Sequence, residues 1–356
     1  MRTSMHISPP ASHRAHPGLG LGLGLGLDVG GTQTRWALAA PGQQAVSVLA
    51  EGQAPGWSGL MLHDDAGRAA IAQALEPVVK TVVKAVRDEG LGGGAGPVSR
   101  IHAGVTGFDA ALLPEMAALL GTAFGLPSTA VAAMNDIELA CHAAFAPGEG
   151  FVLYAGTGSV AAFIDAEGTF HRAGGRGAAI DDAGGGHWIA SQALRAVWRA
   201  EDEAPCAWRT SPLAQRLFAV VGGADWASTR QWVYGASRGE LGTLALAVAA
   251  AAHEGDATAA QILADAGREL ARLVLALARR HGPRPVVLAG RAFELHPLLL
   301  QALRSELKAV ANHESAGLPD RASAWATLAD VQQRAPLLPH HAAARLAAAS
   351  LPAEPA

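Results

Sequence analysis

The sequence is poor in the residues that characterise several classes of protein. It contains only two cysteines in 356 residues, Cys141 and Cys206, which excludes a disulfide framework and an all-cysteine zinc site within one chain. Charged residues make up 16% of the chain and the formal net charge is −4, so no basic surface points to nucleic acid or to an anionic membrane. These shortages favour a small-molecule partner and a cytoplasmic location.

Long apolar runs are also missing. The strongest candidate, GLGLGLGLGL at residues 18–27, follows Arg2 and Arg14 as the apolar segment of a signal peptide would. Every second residue is glycine, however, and about ten residues is far short of the ~20 that span a bilayer. No small-residue cleavage pattern follows, and the run passes directly into Asp28. We therefore expect no membrane partner, and we expect residues 1–17 to form a disordered tail.

The alternation of glycine and leucine predicts a buried strand with one bare face. All leucines project to one side of an extended chain, and the glycines leave the other side open to close approach by another layer. A turn at Gly30-Gly31-Thr32 and a second strand from Thr34 follow. The spacing of the glycines contains no G-x-G-x-x-G, and the chain has no G-x-x-x-x-G-K-[ST] loop, so the dinucleotide-binding and P-loop motifs are both absent.

The same plan occurs twice along the chain. LDVGGTQTRWALA near the amino terminus and LYAGTGSVAAFID from residue 153 both read as strand, Gly-Thr-containing turn and strand. Each copy is followed by alternating helices and strands, which predicts an α/β layer. We infer an internal duplication with a first domain at 18–145, completed by a helix at about 338–351, and a larger, more helical second domain at 146–337.

The two turns are candidates for phosphate binding. Successive backbone N–H groups and hydroxyls suit phosphate oxygens, although each turn alone could be an ordinary hairpin turn. Two such turns at matching places in a duplicated fold strengthen the hypothesis that both bind one polyphosphate.

Carboxylates occur where strands end. Asp28 precedes the first turn and could hold Mg²⁺ through water, or could simply initiate the turn. Asp136 follows a strand and precedes a helix, where it could cap the helix, act as a catalytic base, or do both. Asp181 and Asp182 lie within a glycine-rich loop at 174–186, and because neighbours on an extended chain point to opposite sides, we expect only one of them to face a site.

Together these motifs resemble the superfamily of sugar kinases, heat-shock chaperone ATPases and actin, and within it the N-acetylglucosamine kinase group, or BadF/BadG/BcrA/BcrD ATPase family. The resemblance runs from about Leu25 to about Leu346. It rests on DVGGTQTR, VTGFD, NDIELA, GTGS, the loop GGRGAAIDDAGGGHWI and the late VVLAG. The fold it implies is α/β, with two ribonuclease-H-like (actin-like ATPase) domains and an interdomain active-site cleft.

The resemblance implies phosphorylation of an amino sugar, N-acetylglucosamine or glucosamine, on its 6-hydroxyl. ATP and Mg²⁺ would be the cofactors, and a homodimer is a possible assembly. Asp136 would be the general base and Asp28 the metal ligand. The residues implied for ATP are Gly30, Gly31, Thr32, Thr34, Gly156, Thr157, Gly158, Ser159 and Gly290. Those implied for the sugar are Thr106, Gly107, Asn135, Asp136, Gly175, Gly177 and Asp182.

Departures from the family pattern leave the sugar open. Arg176 occupies the position at which relatives have tryptophan. It could bind a carboxylate of the substrate, or it could be an exposed loop residue. The family's DEGSG is replaced by the run from Asp182 to Gly186, and the segment GQAPGWSGLML lacks an asparagine that many relatives place on the sugar. Two alternatives remain: an activator ATPase of a 2-hydroxyacyl-CoA dehydratase, which would need cysteine ligands for an iron–sulfur cluster, and a non-catalytic sugar sensor.

Overall fold

The computed structural model describes residues 22–41, 47–88, 98–314, 325–329, 331–332 and 337–351. The predicted tail at 1–17 lies outside these residues. The chain divides into two compact units: unit 1 extends to Leu139 and resumes at Pro339, whereas unit 2 is the continuous segment Ala140–Leu338. The domain limits expected from the sequence stay a prediction.

Unit 1 is built on a five-stranded mixed sheet with the strand order β3-β2-β1-β4-β5. The first three strands are antiparallel neighbours, and β4 and β5 run parallel to β1. Its elements are β1 (Leu23–Val29), β2 (Gln33–Ala40), β3 (Ser47–Pro55), α1 (Asp65–Asp88), β4 (Val98–Val105), α2 (Leu113–Phe124), β5 (Val131–Asn135), the start of α3 (Asp136–Ala144) and α10 (Pro339–Ala349).

Unit 2 repeats this topology with more helices. Its sheet has the order β10-β9-β6-β7-β8, which read from the other edge matches that of unit 1 strand for strand. Its elements are β6 (Phe151–Ala155), β7 (Ser159–Ile164), β8 (Phe170–Gly174), α4 (Gly186–Glu203), α5 (Pro212–Val221), α6 (Trp226–Gly235), α7 (Arg238–His253), α8 (Ala257–His281), β9 (Val286–Ala289), α9 (Pro297–Glu314) and β10 (Val331–Gln332). The predicted α/β class and duplicated plan are confirmed.

The glycine–leucine alternation of β1 separates two kinds of packing. The leucines at 23, 25 and 27 are fully buried in a core that includes Ile71 and Leu75 of α1. On the opposite face, a Cβ on Gly24 would lie 2.3 Å from the backbone nitrogen of Ala348, and one on Gly26 would lie 2.2 Å from that of Ala344. The expected close layer is therefore α10, whose backbone lies directly on the strand.

The core of unit 2 forms where β6 and β7 meet the long helix α8. Phe151 and Phe163 pack edge to face with ring centroids 5.3 Å apart, and Leu270 and Val274 of α8 are fully buried in the same cluster. Of the helices in the described parts of the chain, none has both the length and the apolar character that crossing a bilayer requires.

Candidate functional site

The turn between β1 and β2 presents backbone N–H groups in a fixed arrangement. The N–H of Gly30 donates to the carbonyl oxygen of Gln33 at 2.9 Å and closes the turn. Gly31 and Thr32, between them, are exposed. Within the described residues, the N–H groups of Gly31 and Thr32 have no acceptor. Two successive free N–H groups are the arrangement that binds a phosphate oxygen.

Gly56, which the sequence reasoning missed, packs against this turn and is hydrogen-bonded to it. Its N–H donates to the carbonyl oxygen of Thr32 at 3.0 Å. A Cβ at position 56 would lie 2.1 Å from the carbonyl oxygen of Gly30 and 2.3 Å from the nitrogen of Gln33, so only glycine allows this approach. The Pro-Gly pair at the end of β3 indicates a turn at this position, but the local sequence does not show that Gly56 contacts the turn between β1 and β2.

Two hydroxyls assigned to ATP are used inside the fold instead. Thr34 is completely buried, and its hydroxyl donates to the carbonyl oxygen of Pro55 at 3.0 Å. Ser159 is 4% exposed, and its hydroxyl donates to the carbonyl oxygen of Ala183 at 2.7 Å. Both residues lie at the start of the strand after a turn, where the alternation of the strand directs the side chain inwards. The hydroxyls of Thr34 and Ser159 therefore face the fold, and the assignment of the two residues to ATP stays a prediction.

The carboxylates of unit 1 lie at one edge of its sheet. Asp28 is near the end of β1, Thr106 follows β4, and Asp136 follows β5, and these three strands are parallel neighbours. The side chain of Thr106 lies close enough to Asp136 to lower the pKa of that carboxyl. The N–H of Ile137 donates to Oδ1 of both Asn135 (2.9 Å) and Asp136 (3.0 Å). Asn135 thus shares the capping of α3, and Asp136 is both a capping residue and a partly buried acid.

Burial makes these acids unusually basic. Burial raises the pKa of Asp28 to about 6, with the charge of Arg35 opposing the rise and that of Asp136 adding to it. Burial also raises the pKa of Asp136, and Thr106 opposes that rise. A partly buried carboxylate with a raised pKa is suited to accept a proton near neutral pH.

The same pair fits a divalent cation. Asp28 and Asp136 repel each other electrostatically, and both lose solvation on burial. Carboxylate oxygens are the donors that Mg²⁺ prefers, and a nearby cation would favour the ionised form of both groups. Asp28 is therefore a chemically suitable residue to hold Mg²⁺.

We predict that Asp28→Asn stabilises the chain at alkaline pH. The pKa of Asp28 is about 6 in the folded chain and 3.8 without its environment, so the folded state loses stability as the pH rises through about 6. Asparagine removes that loss, on the order of 3 kcal/mol. Urea unfolding without divalent cations at pH 4 and pH 8 measures the free energy of unfolding. The variant should be more stable than the wild type at pH 8 and about equally stable at pH 4. Glu115→Gln, on an exposed part of α2, serves as the control, and an equal difference at both pH values would contradict the prediction.

The sugar residues predicted in unit 1 form a compact group with Ser58. The carbonyl oxygen of Thr106 accepts the N–H of Gly59 at 2.9 Å and the hydroxyl of Ser58 at 3.2 Å. Gly107 has φ +67°, and a Cβ there would lie 2.9 Å from the Ser58 hydroxyl. Ser58 belongs to the segment that lacks the family's asparagine, and it is the polar side chain of that segment that contacts Thr106.

The GTGS turn of unit 2 repeats the turn of unit 1. The N–H of Gly156 donates to the carbonyl oxygen of Gly158 at 2.9 Å, and in the part of the chain that the structure covers no acceptor is found for the N–H groups of Thr157 and Gly158. The start of α4 holds the turn: Gly186 N–H donates to the Gly156 carbonyl at 2.8 Å, and His187 N–H to the Thr157 carbonyl at 3.0 Å.

An ion pair that the sequence reasoning missed lies against this turn. Oδ2 of Asp182 is 3.0 Å from Nη2 of Arg238, the first residue of α7; the Asp182 side chain is 4% exposed and that of Arg238 is 51% exposed. Oδ1 of Asp182 accepts the N–H of Gly177 at 3.2 Å. A Cβ on Gly158 would lie 2.5 Å from Oδ2 of Asp182 and 2.7 Å from Nη2 of Arg238. Burial raises the pKa of Asp182, and Arg238 opposes that rise.

Three other predicted glycines need their backbone conformation. Gly175, Gly177 and Gly290 have φ values of +64°, +88° and +95°. A Cβ on Gly290, at the end of β9, would lie 2.3 Å from the carbonyl oxygen of Ala155 at the end of β6. These positions shape the loop and the strand end beside the GTGS turn.

The remaining loop residues behave as expected. Oδ2 of Asp181 is 3.0 Å from Nη2 of Arg272 on α8, so Asp181 and Asp182 have different arginine partners. Arg176 is exposed, which agrees with its interpretation as an exposed loop residue.

The predicted site residues therefore form two groups, each within its own unit. The unit 1 group is Asp28, Gly30, Gly31, Thr32, Thr106, Gly107, Asn135 and Asp136. The unit 2 group is Gly156, Thr157, Gly158, Gly175, Gly177, Asp182 and Gly290.

Comparison with known proteins identifies the fold. The model of the BadF/BadG/BcrA/BcrD ATPase family matches residues 25–317. No curated protein matches the chain significantly. A structure from Chromobacterium violaceum, described as a proposed N-acetylglucosamine kinase, is 25% identical with a TM-score of 0.60, covering 87% of this chain and 99% of that chain. One from Porphyromonas gingivalis with the same description is 19% identical with a TM-score of 0.63, covering 89% and 96%. The expected two-domain, actin-like ATPase fold is confirmed.

Proposed function

Because the chain belongs to the BadF/BadG/BcrA/BcrD ATPase family, we propose that it is an ATP-dependent kinase that phosphorylates an amino sugar, N-acetylglucosamine or glucosamine, on the 6-hydroxyl. The observation that carries this proposal is Asp136, a partly buried carboxylate of raised pKa that follows a parallel strand and caps the next helix. The similarity to the Chromobacterium violaceum protein over most of both chains supports the choice of an amino sugar.

Asp136 would act as the general base. As the sugar oxygen attacks the γ-phosphorus, Asp136 takes the hydroxyl proton, an O–P bond forms, and the bond from the γ-phosphorus to the β,γ-bridging oxygen breaks to release ADP. The N–H of Ile137, which Asn135 and Asp136 share, would hold the carboxylate in one orientation. A fixed base and a positioned hydroxyl supply most of what protein groups contribute to phosphoryl transfer.

The two turns would bind the phosphates of ATP. Their free N–H groups, at Gly31 and Thr32 in unit 1 and at Thr157 and Gly158 in unit 2, are fixed donors for phosphate oxygens. The glycines at positions 30, 156 and 290 would let the backbone approach the nucleotide closely. Mg²⁺ held by Asp28 would neutralise part of the phosphate charge when bound.

Arg238 would add a positive charge on the phosphate side of unit 2. Its guanidinium lies against Gly158 and is half exposed, so donors remain for a phosphate oxygen. Asp182, predicted to contact the sugar, accepts the N–H of Gly177 through Oδ1 and forms an ion pair with Arg238 through Oδ2. We therefore propose that Asp182 positions Arg238 and the glycine-rich loop. Thr106, Gly107, Ser58, Gly175 and Gly177 remain the proposed sugar-side residues.

Substrate specificity tests the proposal directly. Coupled ADP-release assays should show turnover with N-acetylglucosamine or glucosamine, and the panel should include N-acetylmuramate and glucose. No ADP release with any of these sugars would contradict the kinase function. Turnover with glucose alone would contradict the amino-sugar assignment and leave the kinase function standing.

We predict that Arg238→Ala lowers kcat/KM for ATP by about 10-fold or more, the value of one charge-assisted hydrogen bond. Steady-state kinetics at saturating sugar measure this effect. Arg272→Ala is the matched control, because Arg272 pairs with Asp181 in the same loop. Asp182→Asn keeps the guanidinium and removes its partner. An equal loss of kcat/KM in Asp182→Asn and Arg238→Ala would show that Arg238 acts through the loop and not on ATP.

The cytoplasmic location and the homodimer stay predictions. Cys141 is buried and Cys206 is exposed.

A further inference from the structure

A second cluster of ligating side chains lies in unit 1 and is built from residues that none of the assignments above includes. Glu51 of β3 and His340 and His341, in the first turn of α10, place one ligand atom each within 4.8 Å of one another. Nε2 of His340 is 3.4 Å from Oε2 of Glu51, and Nε2 of His341 is hydrogen-bonded to the same oxygen. We propose that Glu51, His340 and His341 form a zinc site that joins the edge of the sheet to the last helix.

The donor set and spacing suit zinc. Two imidazoles and a carboxylate are a common zinc ligand set, with bonds of about 2.0–2.2 Å in tetrahedral geometry. Such geometry separates donor atoms by roughly 3.3 Å, close to the spacing between His340 and Glu51. The side chain of Glu51 is 58% exposed, which leaves a solvent-facing position for a water as fourth ligand.

His340 is the unusual member of the cluster. It is 4% exposed, and its Nδ1 is buried with no hydrogen-bond partner among the described residues.

The proposed metal would connect distant parts of the chain. Glu51 and His341 are 290 positions apart, and α10 covers the glycine face of β1. A metal that binds the folded chain in preference to the unfolded chain stabilises the fold by mass action. Zinc should therefore raise the melting temperature.

Zinc titration of the full-length, untagged chain tests the proposal. After chelator treatment, calorimetry with Zn²⁺ should find one tight site per chain, and Co²⁺ should give the visible absorption of a tetrahedral complex. Glu51→Gln and His341→Ala should weaken Zn²⁺ binding by at least about 100-fold, the upper end of the loss seen when groups that only support a ligand are removed.

His63→Ala is the matched control, because His63 is an exposed histidine of the same unit; it should bind Zn²⁺ and gain melting temperature as the wild type does. Should His341→Ala fail to fold, Glu51→Gln changes a largely exposed side chain and gives the same answer. No zinc binding by the wild type, or unchanged binding in Glu51→Gln, would overturn the proposal. Neither result depends on kinase activity.

Discussion

Asp136→Asn is expected to lower kcat by about 10²–10⁴-fold, the contribution typical of a general base. Asparagine keeps the size of the side chain and can still accept the hydrogen bond from Ile137, but it cannot take up the proton of the sugar hydroxyl. ATP affinity should change little, because the lost interaction develops only in the transition state. Steady-state kinetics for the sugar and equilibrium binding of an ATP analogue measure the two effects separately.

Glu138→Gln provides the control for this variant. Glu138 is a half-buried acid on the same helix whose pKa is also raised by burial, but it has no role in the proposed mechanism, and its variant should retain wild-type kcat. Turnover of Asp136→Asn within a few-fold of the wild type would remove Asp136 as the base. Because the pKa of Asp136 is raised, kcat/KM of the wild type should fall as the pH is lowered towards that pKa, while the stability contribution of this group grows.

Gly26→Ala is expected to destabilise the protein by about 3 kcal/mol or more, the upper end of the cost of overpacking. The added Cβ would lie 2.2 Å from the backbone nitrogen of Ala344 and from the carbonyl oxygen of His340. Backbone atoms of a helix cannot rotate away as a flexible side chain can, so α10 must shift from the sheet. Urea unfolding followed by circular dichroism measures the change in the free energy of unfolding.

Gly31→Ala is the matched control for stability. A Cβ at Gly31 meets nothing within 4 Å, so its substitution should leave the unfolding midpoint within a few tenths of a kcal/mol of the wild type, as at other exposed positions. Equal midpoints for Gly26→Ala and the wild type would mean that α10 does not lie on the glycine face of β1.

The fold was predictable because its signals are local and repeated. The alternation of Gly24 and Gly26 with leucines predicted both a strand and a bare face. The matching turns at Gly30 and Gly156 predicted the duplication, and the shared strand order of the two sheets confirms it. Each of these inferences needs only the period of a strand and the conformational freedom of glycine.

The details of the site were harder to predict because they depend on direction and distance. Thr34 and Ser159 were assigned to ATP from the turn motifs and the family resemblance, but one step along a strand reverses the direction of a side chain. Arg238 lies against Gly158 although 80 positions separate them in the sequence, and Glu51 contacts His341 across 290 positions. No local pattern encodes such contacts, whereas the place of Asp136 between a strand and a helix was predictable because a strand end is itself a local signal.

The placement of α10 also sets an order of events during synthesis. All strands of unit 1 leave the ribosome before unit 2 begins at Ala140, but the helix that covers β1 follows only after Leu338. At about 5–20 residues per second, translating the intervening ~200 residues takes roughly 10–40 s. During that interval the glycine face of β1 has no helix to cover it. Unit 1 can therefore complete its folding only after unit 2 has been translated.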